Sequence, residues 1–155
     1  MWNQLTGPSF RRAIELNPNN AQANVGVGFA LTLSGEVERG LHHLTTALRL
    51  NPQDPRNHVY LNLTAYAYLT LRLYEDALDW VDRSIEWRSD FPLAYLVRAS
   101  VLSYLGRLEE ARSSLQKCDE LRPGFTADRN NWFFLVGDED HNLFLDGLRK
   151  AGWEG

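Results

Sequence analysis

An all-α, right-handed superhelix of stacked helix–turn–helix units is the architecture this sequence predicts, and three observations predict it. The phrases Ala13-Ile14-Glu15-Leu16-Asn17-Pro18 and Ala47-Leu48-Arg49-Leu50-Asn51-Pro52 are near-identical and end on prolines 34 residues apart. Small residues recur at matching points of three successive units: Gly28, Ala65 and Ala99 in one register, Gly40, Ala77 and Ala111 in another. Turn residues punctuate those units at the places where helices must stop. A unit of this period cannot bury its apolar face alone, so neighbouring units stack into a continuous core.

The elements follow in order. The first full unit reads Asn24-x2-Val27-Gly28-x2-Leu31, then Gly40-x3-Leu44, then Ala47 and Pro52. The second reads Leu61-x2-Thr64-Ala65-x2-Tyr68, then Ala77-x3-Val81 and Ser84. The third reads Tyr95-x2-Arg98-Ala99-x2-Leu102, then Ala111-x3-Leu115, Cys118 and Pro123. Small residues let paired helix backbones approach, and Leu31, Tyr68 and Leu102 fill the space beside them. Ser34-Gly35 and Gly106-Arg107 end first helices, because glycine takes the left-handed cap conformation without steric cost. Pro18, Pro52 and Pro123 follow second helices, where a residue without an N–H cannot continue the ladder. Ser84 to Cys118 is again 34 residues but Ala47 to Ser84 is 37, which places a three-residue insertion near Pro52-Gln53-Asp54-Pro55. The expected division is a half repeat at 9–19, repeats at 20–54, 55–90 and 91–125, and a partial repeat with a capping helix at 126–155.

The two ends depart from the period. Phe10 to Leu16 reads as a second helix without its partner, after a break at Gly7-Pro8, so Phe10, Ile14 or Leu16 should be buried elsewhere. Two explanations fit: the chain is the C-terminal part of something longer, or its open end pairs with another copy. After Pro123 a further first helix is expected over about Thr126 to Leu135, then an acidic loop at Gly137-Asp138-Glu139-Asp140. An amphipathic helix from His141 to Ala151 follows, with Leu143, Phe144 and Leu148 in its apolar stripe, Arg149-Lys150 at its end and Gly152 after it. That helix either caps the array or folds back into a groove of the superhelix.

Composition bounds the function. The net charge of -4 leaves no basic footprint for nucleic acid. No apolar run nears the roughly 18 residues that span a bilayer, and Met1-Trp2-Asn3-Gln4-Leu5 has no secretion-signal pattern. A single cysteine, Cys118, permits no intramolecular disulfide and suits a reducing compartment; the cytoplasm is the expected location. His42 and His43 are adjacent on a helix and point about 100° apart, so they do not converge on one metal ion. Cys118 sits at a small-residue packing position and reads as a buried thiol. Glu109-Glu110 and Asp138-Glu139-Asp140 stand where helix starts favour acids. No phosphate loop, nucleophile elbow or metal-ligand spacing is present. No cofactor, no metal and no catalysis are expected.

Over roughly residues 9 to 125 these motifs resemble the tetratricopeptide repeat family, with Asn24 where an aromatic is common, Gly40 where alanine is usual, and Ser89-Asp90 in place of a closing proline. The stretch Phe144 to Trp153 is also similar to the ends of tetratricopeptide regions in bacterial class III adenylate/guanylate cyclases and winged-helix transcription regulators. No cyclase or DNA-binding segment is in this sequence. The family resemblance implies that first helices line a concave groove. Projecting their exposed stripe gives Gln22, Val25, Phe29 and Leu33, then Val59, Asn62, Tyr66 and Thr70, then Leu93, Leu96, Ser100 and Tyr104. Such a groove is neutral with an apolar floor, and suits an amphipathic helix or extended peptide anchored at Phe29, Tyr66 and Tyr104. Family members that clamp a C-terminal carboxylate use lysine and asparagine; Val25, Phe29, Leu63, Leu93 and Val97 stand at those positions, so no such clamp is expected. The expected function is therefore non-catalytic recognition of a protein or peptide, as a scaffold or adaptor. The alternatives are a homodimer formed through residues around Phe10 and Ile14, or a regulatory region of a larger cyclase or transcription regulator.

Overall fold

The computed structural model describes residues 8–136 and 142–155, all of whose regular elements are helical. Seven helices alternate along the chain: α1 (Pro8–Leu16), α2 (Ala21–Leu33), α3 (Val37–Leu50), α4 (Asn57–Thr70), α5 (Tyr74–Trp87), α6 (Pro92–Tyr104) and α7 (Leu108–Leu121). A 3₁₀ turn (Arg129–Asn131), a short α8 (Phe133–Val136) and α9 (Leu143–Lys150) follow. The pairs α2–α3, α4–α5 and α6–α7 pack most closely, and each pair stacks on the next through α3–α4 and α5–α6. Helix α1 packs on α2. The acidic loop expected at 137–140 and the side chain of Phe10 lie outside the described residues.

Each pair crosses where the sequence has no side chain in the way. A Cβ on Gly40 would stand 2.6 Å from the carbonyl oxygen of Gly28 and 2.5 Å from the Thr32 hydroxyl. Ala65, Ala77, Ala99 and Ala111 take the same places in the next two units and are wholly buried. In a second column, Ala47, Ser84 and Cys118, the two later members tie second helices to the first helix of their own pair. Ser84 donates its hydroxyl to the His58 carbonyl at 2.6 Å, and the Cys118 thiol points to the Pro92 carbonyl at 3.3 Å. Burial pushes the Cys118 thiol up to about 12, as suits a packed group.

First helices end alike. Gly35 and Gly106 have positive φ, and the next residue's N–H returns to the carbonyl five back, Glu36 to Leu31 and Arg107 to Leu102. In the middle unit Arg72 holds the same conformation, at φ 61°, with Leu73 N–H on the Tyr68 carbonyl. The longer turn falls between the first two full repeats: residues 51–56 separate α3 from α4, against 17–20 and 88–91 at the other junctions. Asp54, almost fully buried there, accepts from the Arg56 backbone and guanidinium. Asn24, at the position usually aromatic, uses its amide N–H to bond the Pro18 and Asn20 carbonyls and its oxygen to meet His43 Nδ1 at 2.9 Å. His43 is thus part of the packing between α2 and α3.

Beyond Pro123 the structure differs from expectation: residues 126–135 do not form one helix. Asp119 takes the Thr126 N–H and hydroxyl, and Asp128 takes the Asn130 N–H, so local side-chain bonds compete with the helical ladder.

Two substitutions test this packing. Gly40→Ala should lower unfolding free energy by about 1–3 kcal/mol in urea titrations, overpacking outweighing the gain in helix propensity. Arg72→Gly should raise it by about 1 kcal/mol, by removing a left-handed non-glycine residue.

Candidate functional site: the concave face

Helices α2, α4 and α6 line one side of the stack, and their sequences explain what they need. Arg98 is the only Lys, Arg, Asp or Glu on the three of them. A helix apolar around its whole circumference has to be covered on all sides. Second helices are amphipathic and carry the exposed charge, including the exposed acids Glu75, Asp76, Asp79 and Glu86 of α5.

What covers the concave side is the chain's own C-terminal part. The Tyr66 hydroxyl donates to the Leu135 carbonyl at 2.7 Å, the Ser100 hydroxyl to the Phe144 carbonyl at 2.9 Å, and the Tyr104 hydroxyl to the Leu143 carbonyl at 2.6 Å. The Phe29 ring meets Phe134 edge-on at 6.1 Å, and Tyr66 meets Phe144 edge-on at 5.6 Å. Helix α9 lies against α6 and reaches α4. Trp132, Phe144, Leu145 and Leu148 are essentially fully buried, and Trp153, which donates its indole N–H to the Thr126 carbonyl, nearly so. Gly147 marks the closest approach: a Cβ there would stand 2.1 Å from Ser100 Oγ.

The twelve positions projected as a groove therefore have different surroundings. Tyr66, Ser100 and Tyr104 hold the C-terminal segments, and Phe29 packs on one of them. Val25, Asn62, Leu93 and Leu96 are buried; among the described residues neither amide atom of Asn62 has a hydrogen-bond partner, nor does Trp132 Nε1. Gln22 and Thr70 are exposed, and Leu33 and Val59 half-buried. Sequence reasoning did not place Trp132, Leu135 and Gly147 on this face. First helices with a single charged residue among them, Arg98, were the signal that something fills it.

Helix α9 is specified locally at both ends. Asn142 accepts the Leu145 N–H at 2.8 Å as N-cap, and Gly152, at φ 103°, turns the chain so that Trp153 N–H meets the Leu148 carbonyl. Its outward face carries Asp146 paired with Arg149. Burying Phe144, Leu145, Leu148 and Trp153 contributes about 10 kcal/mol. Ordering the dozen residues from 142 to 153 costs about 12 kcal/mol, and three side-chain hydrogen bonds contribute about 3. The near balance means that α9 keeps its place only through its contacts with α6 and α4.

A further concavity of about 280 Å³ lies between α3, α4 and α5, beside the longer turn, with Leu48, Leu61 and Trp87 among its walls. Among the described residues no group of three His, Cys, Asp or Glu side chains converges to hold a metal ion.

Comparison with known proteins places this geometry. The tetratricopeptide repeat family matches residues 34–92 and 93–125. Anaphase-promoting complex subunit 3 of Schizosaccharomyces pombe is 29% identical over 129 residues, 83% of this chain and 18% of that protein. The chain spans 11% to 33% of the length of the curated relatives it matches. Among solved structures, the first repeat domain of Spaghetti (RPAP3), bound to the HSP90 peptide SRMEEVD, superposes with a TM-score of 0.63 at 20% identity, over 84% of this chain and 89% of that one. YrrB, a repeat protein described as having an unusual peptide-binding site, superposes with a TM-score of 0.60 at 22% identity, over 92% and 72%. These likenesses show the fold.

Burial pushes the Tyr104 hydroxyl up to about 12, with the Asp146 carboxylate and Tyr74 adding to it. An unfolded tyrosine ionises near 10. The hydroxyl's contribution is therefore complete below pH 10 and is lost as pH rises through 12, when the proton donated to Leu143 leaves. The stability advantage of wild type over Tyr104→Phe in urea titrations should be constant from pH 7 to 9 and vanish between pH 10 and 12.

Proposed function

Because this chain belongs to the tetratricopeptide repeat family, we propose that it is a non-catalytic protein-recognition module, acting in the cytoplasm, whose concave face takes a helix or peptide segment. The segment comes from a partner protein or from a longer parent polypeptide. The observation that carries this reading is the set of hydroxyls of Tyr66, Ser100 and Tyr104, all bonded to main-chain carbonyls. Main-chain contacts give affinity for a polypeptide whatever its side chains, and pockets between them supply selectivity. The peptide held by the RPAP3 domain supports the same class of ligand. Gln22, Leu33, Val59 and Thr70 are the positions with room for further contact. No cyclase or regulator activity is assigned, since no such segment is in the sequence.

A second reading is self-association through the α1 end. Leu16 is 72% exposed there and Ile14 only half-buried, an apolar edge suited to a second copy.

One pair of variants separates the readings. Binding of labelled amphipathic-helix peptides, read by fluorescence anisotropy, should weaken at least tenfold for Val59→Glu and stay unchanged for Ile14→Glu. Binding indifferent to Val59→Glu, with a concentration-dependent dimer abolished by Ile14→Glu in light scattering, would overturn the first reading in favour of the second.

A further inference from the structure

Resting on that reading of the concave face, we infer that α9 and the tail after it are a resident ligand, and that the external partner is an amphipathic helix carrying the same pattern. That pattern is an aromatic residue, leucines one and four positions after it, glycine three after it, and a second aromatic nine after it. In this chain it is Phe144, Leu145, Gly147, Leu148 and Trp153.

Three features of the face select that occupant. The Ser100 and Tyr104 hydroxyls bond carbonyls in the first turn of α9, so they read helical main chain offered at one depth and one angle. The glycine is a steric requirement: Ser100 Oγ and Tyr104 Cε2 stand 2.1 and 2.8 Å from where its Cβ would be, and only a bare helix face fits so close. The aromatic requirement comes from Tyr66, whose ring meets Phe144 edge-on.

The seated segment is also suited to exchange. Helix α9 has eight residues, fewer than an isolated helix needs to persist in water, so its helicity depends on the face it occupies. Its outward side carries charged Asp146, Arg149 and Lys150, so the released segment stays soluble. Because it is tethered, it competes at an effective concentration on the order of millimolar, and a partner helix binds only by displacing it.

The test uses the full chain and a fluorescein-labelled synthetic peptide of residues 142–155. Two variants release the resident helix: Gly147→Val, which collides with Ser100, and Leu148→Asp, which puts a charge in the apolar seat. Each should bind the peptide at least tenfold more tightly than wild type, and a peptide with valine at the glycine position should bind neither. If neither variant binds the peptide while both keep helical circular dichroism, the recognition reading of the face fails as well. If wild type binds as tightly as the variants, the face binds helices but α9 does not block it, and the inference is overturned. Equal binding of the valine peptide would remove the glycine requirement. A readout independent of variant folding is hydrogen exchange in wild type, where millimolar unlabelled peptide should strip protection from the amides of residues 145–153. Unchanged protection would contradict displacement.

Discussion

An apolar concave face that water cannot be allowed to reach is the constraint on which this structure turns. Stacking helix pairs solves burial between neighbours and leaves the inner wall of first helices uncovered. Here α2, α4 and α6 together carry one Lys, Arg, Asp or Glu residue, so the wall cannot stand as a solvated surface. The chain brings Trp132, Phe144, Leu145 and Leu148 onto that wall and joins it into one continuous core. The tail of the array, which in a straight stack would cover the last repeat, is used to cover the inside.

The rest of the fold makes that inner wall possible. Gly28 against Gly40, and alanine pairs in the next two units, set how closely first and second helices approach. Ser84 and Cys118 fix the second helices α5 and α7 to the first helices of their own pairs, α4 and α6, through a carbonyl, and Arg98 links Asp82 to Ser114 across the second and third repeats. Tyr66 and Tyr104 come from different repeats, and their hydroxyls reach α8 and α9 on the same face only if those stacking contacts hold. Recognition on this face is therefore a property of the array and not of any one repeat.

Much of this was legible in the sequence. The 34-residue period, the small-residue registers and the glycine stops at Gly35 and Gly106 place helices α1 to α7, because each has a local steric cause. Arg72 hid its stop, since a left-handed arginine leaves no compositional mark. Residues 126–135 misled for a different reason: Asp119 and Asp128 capture backbone and hydroxyl groups through side chains, and that competition is invisible to periodicity. Tyr66, Ser100 and Tyr104 were legible as inward-facing positions. Their occupant was not, because Gly147 reads as a helix weakener until Ser100 is placed opposite it.

The measurement that bears most directly on this picture is the pattern of nuclear Overhauser contacts between aromatic side chains in the full chain in solution. Tyr66 and Phe144, 78 positions apart in sequence, have ring centroids 5.6 Å apart, and Trp132 and Trp153 are 5.3 Å apart. Cross-peaks between both ring pairs are the result that a covered concave face predicts. Their absence, with Phe144 and Trp153 at the shifts of a free peptide, would mean the face stands open and the C-terminal helix has no seat on it.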